Sequence, residues 1–313
     1  MCTAIRNGRL FGRTLDLEFS YGEGVVLLPR NAPYRFRFET PADPPLAILG
    51  TAYCYGGVPL FYDAMNESGL AAAALNFPGL AVYQPYCKGA CNLASFEVIP
   101  YLLRSCRTVS AVRERLREVR VTADAVSDEI PVTPLHWLIA DRDGAITVEP
   151  TAEGLRVFEN PFGVLTNAPD FRYHVAHLSE FLHLTPDPPE NRLLPEISLP
   201  TLSRGMGAIG LPGDFSSQSR FVRAVYAKRH TEGAESAVER FFHVMDTVKV
   251  PRGCVRTEEG RAVFTVYTSC MDLEALTYSF TTEACREIRS VSMDRAMPDG
   301  DTAITFPMAG KRR

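Results

Sequence analysis

A chain of 313 residues with 46% hydrophobic and 22% charged side chains has the composition of folded globular domains, which excludes a disordered or collagen-like chain. Its formal net charge of −4, with no block of Lys and Arg, offers nothing to a phosphate backbone, so nucleic acid is not an expected partner. No stretch approaches the ~20 apolar residues of a membrane span, and the opening Met-Cys-Thr-Ala-Ile-Arg-Asn-Gly-Arg lacks the apolar segment of a signal peptide, so the expectation is a cytoplasmic protein with no membrane partner.

In chain order, a short N-terminal hairpin is expected to return residues 10–16 toward Cys2. Strand patterns follow at 24–29 and 47–53, then at 60–65 and 71–77 around a turn containing Asn-Glu-Ser-Gly. Helical periodicity covers 93–104 and 109–119. Two further hairpins are expected, 136–141 with 145–149 around Arg-Asp-Gly, and 155–159 with 163–167 around Asn-Pro-Phe. Helices at 217–228 and 234–245 precede a meander at 262–269, 274–280 and 285–290. Connections this short require antiparallel pairing. The pattern is α+β, sheets packed on each other and covered by helices. No repeat or linker divides the chain, the Pro-rich stretches 41–45 and 185–200 read as loops, and one domain over 1–313 is expected.

Eight cysteines at 2, 54, 87, 91, 106, 254, 270 and 285 are dilute and expected to be reduced. Cys87 and Cys91 have no second close pair to complete a zinc site, and His174 and His177, three apart on a helix, read as core or surface side chains. No metal is expected.

Cys2 has an unusual placement. Loss of Met1, which a small second residue permits, gives it a thiol and a free α-amine, a nucleophile and a base in one residue; an α-amine titrates at roughly 7.7–8.0, close to working pH. While Met1 remains, that amine is acylated and the site is expected to be inactive. Arg13 and Asp16 fall where the hairpin returns, and an Arg can stabilise a thiolate while an Asp orients an ammonium. Taken alone, a cysteine at position 2 reads as chance, and Arg-x-x-Asp, the spacing of a common surface ion pair, carries almost no information.

Six segments in order change the reading: Met-Cys-Thr at the start, Phe-Gly-Arg-x-x-Asp at 11–16, Leu-Asn-Phe-Pro at 75–78, Leu-Thr-Asn-Ala-Pro at 165–169, Leu-Pro-Gly-Asp-Phe at 211–215 with Ser-Arg-Phe at 219–221, and Tyr-Thr-Ser-Cys-Met at 267–271. Together the chain resembles the choloylglycine hydrolase family, which includes bile salt hydrolases and penicillin V acylases. The resemblance implies an N-terminal nucleophile hydrolase with a four-layer αββα sandwich, commonly a homotetramer. It implies Cys2 as nucleophile, with Asp16 and Arg13 positioning its amine and thiol. The Asn167 side-chain amide and the Asn76 backbone N–H would form an oxyanion hole, and Arg220 would complete the polar cluster. The thioester formed is resolved by water, so no cofactor is implied.

By family position Leu15, Tyr21, Tyr62, Val126, Ile130 and Leu135 are candidates for a large apolar pocket, each equally readable as core. Asn76, where penicillin V acylases of this family often carry Tyr, favours bile salts, although Tyr62 is larger than the small residue found in some bile salt hydrolases. Ser203-Arg204-Gly205 resembles a loop variant associated with glycine over taurine conjugates, and Arg204 suits a conjugate carboxylate. An acyltransferase using the same thioester and a noncatalytic binder of amphipathic acids remain open alternatives.

Overall fold

The computed structural model describes residues 1–40, 44–233, 236–293 and 297–308. Residues 41–43 of the first Pro-rich stretch and 234–235 at the start of the expected fourth helix lie outside the described residues.

The chain opens with β1 (Cys2–Asn7) and β2 (Leu10–Leu17), joined by Gly8 and Arg9, with Gly8 supplying the positive φ (61°) such a tight hairpin needs. Four strands, β3 (Gly24–Leu28), β4 (Ile48–Tyr55), β5 (Val58–Asn66) and β6 (Ala71–Asn76), form an antiparallel meander. Next come β7 (Cys91–Ala94), α1 (Val98–Ser105), α2 (Val109–Arg115) and β8 (Val119–Thr122). Strands β7 and β8 pair in parallel, which the intervening helices make possible. This corrects the expected helices 93–104 and 109–119. Residues 91–94 and 119–122 carry strand pairing at the outer ends of a helical apolar pattern, which leaves the helices at 98–105 and 109–115.

Strands β9 (Leu135–Ala140), β10 (Ala145–Thr151) and β11 (Gly154–Glu159) continue the meander. The expected hairpin of 155–159 with 163–167 does not form: β11 pairs β10, whereas β12 (Val164–Leu165) pairs β1 in the other sheet. Helices α3 (Phe171–Leu178), α4 (Ser217–His230) and α5 (Ala237–Asp246) lead to β13 (Val255–Arg256), β14 (Ala262–Asp272), β15 (Thr277–Thr282), β16 (Arg289–Ser292) and β17 (Ile304–Pro307). The last two expected strands begin three and four residues later than their patterns suggested, and β17 was not anticipated.

One sheet runs β12-β1-β2-β14-β15-β16, with β13 also on β14; the second runs β11-β10-β9-β6-β5-β4-β3-β17. Helices α4 and α5 cover β1, β12, β2 and β14, and α1 covers β4, β5 and β6, so the layers are αββα. Strand alternation divides the core. In β6, Ala71, Ala73 and Leu75 pack with Cys2, Phe11 and Leu15, whereas Ala72 and Ala74 pack with Leu102 and Leu103 of α1. On α5, Phe241, Phe242, Val244 and Met245 are buried, each contributing about 1.5–3 kcal/mol of apolar burial. Between β2 and β14 the approach is so close that a Cβ at Gly12 would lie 2.0 Å from the Ser269 carbonyl oxygen.

Candidate active site

The β1–β2 register pairs Cys2 with Leu15 and Ala4 with Arg13, so these side chains share one sheet face; Thr3 and Thr14 share the other. The first face meets the second sheet and the other meets α4. The sulfur and the main chain of Cys2 are thereby served from different layers.

On the inner face, Arg13 Nη2 lies 2.6 Å from Cys2 Sγ. Its Nε donates to the Thr14 carbonyl at 3.1 Å, and Nη1 donates to the carbonyls of Tyr62 (3.1 Å) and Ala74. Burial pulls this guanidinium down, but Cys2, Tyr267, Asp63 and Asp16 outweigh it and hold it above its ordinary range.

On the outer face, Arg220 of α4 donates to Asn167 Oδ1 (2.8 Å), Thr3 Oγ1 (2.7 Å), the Phe215 carbonyl (3.1 Å) and the Cys2 carbonyl. Burial lowers its pKa, with Asp16 and Cys2 opposing. Asn167 Oδ1 also accepts the Cys2 N–H at 2.7 Å, and Asn167 Nδ2 donates to the Asn76 carbonyl at 2.7 Å. One Nδ2 hydrogen remains. Asn76 faces Leu135 across β6–β9 while Phe77 N–H donates to Pro134, which makes Asn76 and Leu135 a non-hydrogen-bonded pair. The Asn76 N–H therefore points away from β9, to the side from which Asn167 arrives. The β5–β6 pairing ends at Ala73, so β5 does not use that donor.

Asp16 takes hydroxyls on its carboxylate, Thr265 at 2.7 Å and Thr14 at 3.1 Å. Its main chain pairs with Met1: Met1 N donates to the Asp16 carbonyl at 2.7 Å and Asp16 N–H to the Met1 carbonyl at 3.0 Å. With Met1 in place the Cys2 nitrogen is met by Asn167, while the Asp16 carboxylate is held by Thr14 and Thr265.

The six residues assigned catalytic roles by resemblance thus converge, and sequence reasoning missed their supports. The Asn167 N–H donates to Ser217 Oγ at 2.8 Å, and the Asn167 carbonyl lies 2.9 Å from His174 Nε2. Burial pushes His174 down to about 4, so the ring is neutral and Nε2–H donates; it stacks on Phe221 at 4.9 Å. His136 Nε2 lies 2.8 Å from the Thr166 carbonyl. Asp63, wholly buried on β5, also escaped notice. Ser217 and Phe221 had a signal, lying in or beside the Ser-Arg-Phe segment, and His174 is the core side chain its sequence reading allowed.

Among the pocket candidates, Leu15 is buried opposite Cys2, Tyr62 is half-buried with its carbonyl on Arg13, and Leu135 faces Asn76. Burial pushes the Tyr62 phenol up, aided by Glu23 and Tyr21. Tyr21 packs on Phe19 (4.7 Å) and Tyr53 (5.8 Å) at the exposed rim. Val126 and Ile130 lie on the loop between β8 and β9, closed by Val126 N–H donating to Ile130 at 3.1 Å; Tyr55 ties that loop to the β4–β5 hairpin through Glu129 (3.3 Å). Arg204 is exposed and makes no hydrogen bond or ion pair among the described residues, so the structure does not join it to the site. Among the described residues no helix is long and apolar enough to cross a membrane, and no group of three His, Cys, Asp or Glu converges.

A family model described as linear amide C–N hydrolases, choloylglycine hydrolase family, matches residues 2–306, beginning at Cys2. The chain belongs to the choloylglycine hydrolase family. As a choloylglycine hydrolase family member it is an enzyme acting on linear amide C–N bonds. It is 38% identical to a bile salt hydrolase/transferase of Lactiplantibacillus plantarum, over 98% of this chain and 97% of that one. The C2A mutant of the conjugated bile acid hydrolase from Clostridium perfringens superposes with a TM-score of 0.89 at 34% identity, covering 98% of this chain and 96% of that chain. A penicillin V acylase from Agrobacterium tumefaciens, at 18% identity and a TM-score of 0.72 over 99% of this chain and 92% of that one, shares the fold.

Proposed function

We propose that the protein hydrolyses the amide bond of bile salts conjugated to glycine or taurine, through a thioester on Cys2 freed by loss of Met1. The observation that carries this reading is the convergence of Arg13 on the Cys2 sulfur and of Asn167 and Arg220 on its main chain. The names of the relatives, bile salt hydrolase/transferase and conjugated bile acid hydrolase, supply the substrate.

Once Met1 is removed, the Cys2 amine takes the thiol proton, and Sγ attacks the amide carbonyl. The carbonyl oxygen gains the negative charge between the Asn76 N–H and the free Asn167 Nδ2 hydrogen. Collapse breaks the C–N bond, and the departing glycine or taurine nitrogen takes the proton from the Cys2 ammonium. Water then attacks the thioester, giving the free bile acid and restoring the thiol. An amine in place of water gives acyl transfer, a second reading favoured by the hydrolase/transferase name of a relative.

The whole chain from Cys2 acts as one domain, in the cytoplasm, as a homo-oligomer. Support for self-association is the exposure of Leu182 (84%), Leu193 (86%) and Leu202 (88%) along one stretch. Glycine conjugates are favoured by the resemblance of Ser203-Arg204-Gly205 to a loop variant associated with glycine over taurine conjugates.

Intact mass with release of glycine from glycocholate and taurine from taurocholate, comparing wild type with Cys2→Ala, tests the reading. Met1 loss with Cys2-dependent release is expected, glycine faster. Cleavage of penicillin V alone would replace the substrate, and no amide cleavage would overturn the proposal.

A further inference from the structure

Arg13 poses a problem of charge. It is wholly buried between the sheets, and its side chain donates to the Thr14, Tyr62 and Ala74 carbonyls and to Cys2 Sγ, none of them a carboxylate. A buried cation needs a nearby opposite charge. On the sheet facing Arg13 that charge is available at Asp63, itself wholly buried.

Asp63 does not close on the guanidinium, for no ion pair joins the two among the described residues. Its oxygens instead accept the hydroxyls of Tyr267 (2.6 Å), Ser269 (2.6 Å) and Tyr278 (2.9 Å), and Tyr278 shares a 2.5 Å hydroxyl contact with Thr51. Three donors on one carboxyl group suit the anion. Ser269 Oγ also accepts the Arg13 backbone N–H at 3.1 Å, so a single hydroxyl couples the carboxylate to the strand that carries the guanidinium. Burial pushes the Asp63 carboxyl up, against the pull of Arg13 and of its three donors.

We infer that Asp63 is a positioning residue for the hydrolysis proposed above: a buried counter-charge, held off Arg13 by three hydroxyls, that balances the guanidinium without capping it. Arg13 Nη2 is thereby left for the sulfur. A direct Asp63–Arg13 pair would engage the same nitrogens and quench the charge that Cys2 receives. The inference rests on the reading of Cys2 as nucleophile. The charged and titratable groups around Asp63 are Arg13 from β2 and Tyr267 and Tyr278 from β14 and β15, with Cys2 and Asp16 around Arg13.

The test uses the Met1-free protein and two readouts, alkylation of Cys2 by iodoacetamide against pH, resolved by peptide mass spectrometry, and glycine release from glycocholate. Asp63→Asn removes the counter-charge facing Arg13 from the second sheet, so the acid limb of Cys2 alkylation should move about one pH unit lower. Its kcat should fall roughly 10–100-fold as the guanidinium loses its anchor, with KM within about twofold. Asp63→Glu, which keeps the charge, should return the limb to the wild-type position. Ser269→Ala, which removes one donor from the carboxylate and the hydroxyl that accepts the Arg13 N–H, should lower kcat and move the limb the same way by a smaller step. If Asp63→Asn does not fold, Tyr278→Phe, which removes one donor from the carboxylate, should move the limb the same way by a smaller step. A folded Asp63→Asn matching wild type in both readouts, equal limb shifts in Asn and Glu variants, or an unmoved limb in Tyr278→Phe would overturn the proposal. If the wild type releases no glycine, the substrate reading fails while alkylation still decides the role of Asp63.

Discussion

Asn167 holds three partners with one amide, and two substitutions separate what it does. Its Oδ1 accepts from the Cys2 nitrogen at 2.7 Å and from Arg220 at 2.8 Å, while Nδ2 uses one hydrogen on the Asn76 carbonyl and has a second, which the proposed mechanism gives to the developing oxyanion. Asn167→Asp preserves the acceptor and removes the donor. Losing one of two oxyanion donors is expected to lower kcat by ~10²–10³-fold, about 2.7–4 kcal/mol of barrier. KM should change little, since the charge it stabilises is absent from the bound substrate. Asn167→Ala removes the acceptor as well, leaving a buried guanidinium N–H and the Cys2 nitrogen without a partner, which adds a loss of about 1–3 kcal/mol in stability. Steady-state release of glycine from glycocholate, with urea unfolding of each variant, measures both. If Asn167→Asp stays within about threefold of wild type in kcat, no donor is needed at that position and the oxyanion assignment is wrong.

Gly12→Ala places a Cβ 2.0 Å from the Ser269 carbonyl oxygen, where only main chain could yield; a loss of at least about 2 kcal/mol, read as a fall in Tm, is expected, and an unchanged Tm would contradict the close β2–β14 approach. His174 is held down to about 4 by burial, so between pH 6.5 and 4 the unfolded chain binds a proton that the folded chain refuses. Its contribution is complete above about pH 6.5 and is lost as pH falls toward 4, by roughly 2–3 kcal/mol. His174→Gln should flatten the pH dependence of the urea midpoint in that window, and a wild-type slope in the variant would refute the assignment. Leu182→Glu with Leu193→Glu should lower the oligomer mass seen by light scattering if the exposed stretch joins copies, while an unchanged mass places the interface elsewhere.

The layers were legible because period-2 and period-3.6 patterns report burial, and this fold buries sheets on both faces. The partner of each strand was less so. The 155–159 and 163–167 segments have strand composition around a Pro-containing turn, yet one joins β10 and the other β1, since a short turn can fold back or step between sheets with the same residues. Residues 91–94 and 119–122 continue an apolar pattern into parallel strands, which local periodicity cannot separate from helix ends. The site was readable where several short segments could be taken together, as with Arg13, Asn167 and Arg220. Asp63 was not, because a lone carboxylate in an apolar strand reveals its role only through hydroxyls 204, 206 and 215 residues away.

The place of Cys2 at a strand end explains how polar groups reach one residue from two layers of this fold. A strand residue sends its side chain to one face of the sheet, while the main chain at a strand end keeps groups that no neighbouring strand satisfies. Here the sulfur points toward the second sheet and finds Arg13, whose remaining donors are fixed by carbonyls of β2, β5 and β6. The Cys2 carbonyl and nitrogen are met by Arg220 from the outer helix and by Asn167 just beyond β12. A sheet with one face in water could provide the first set or the second, and the missing face would leave thiol or amine to solvent. Placing Cys2 at the first residue of β1, with covered layers on both sides, lets two buried guanidinium groups approach one residue from opposite faces of the sheet, each held by its own layer.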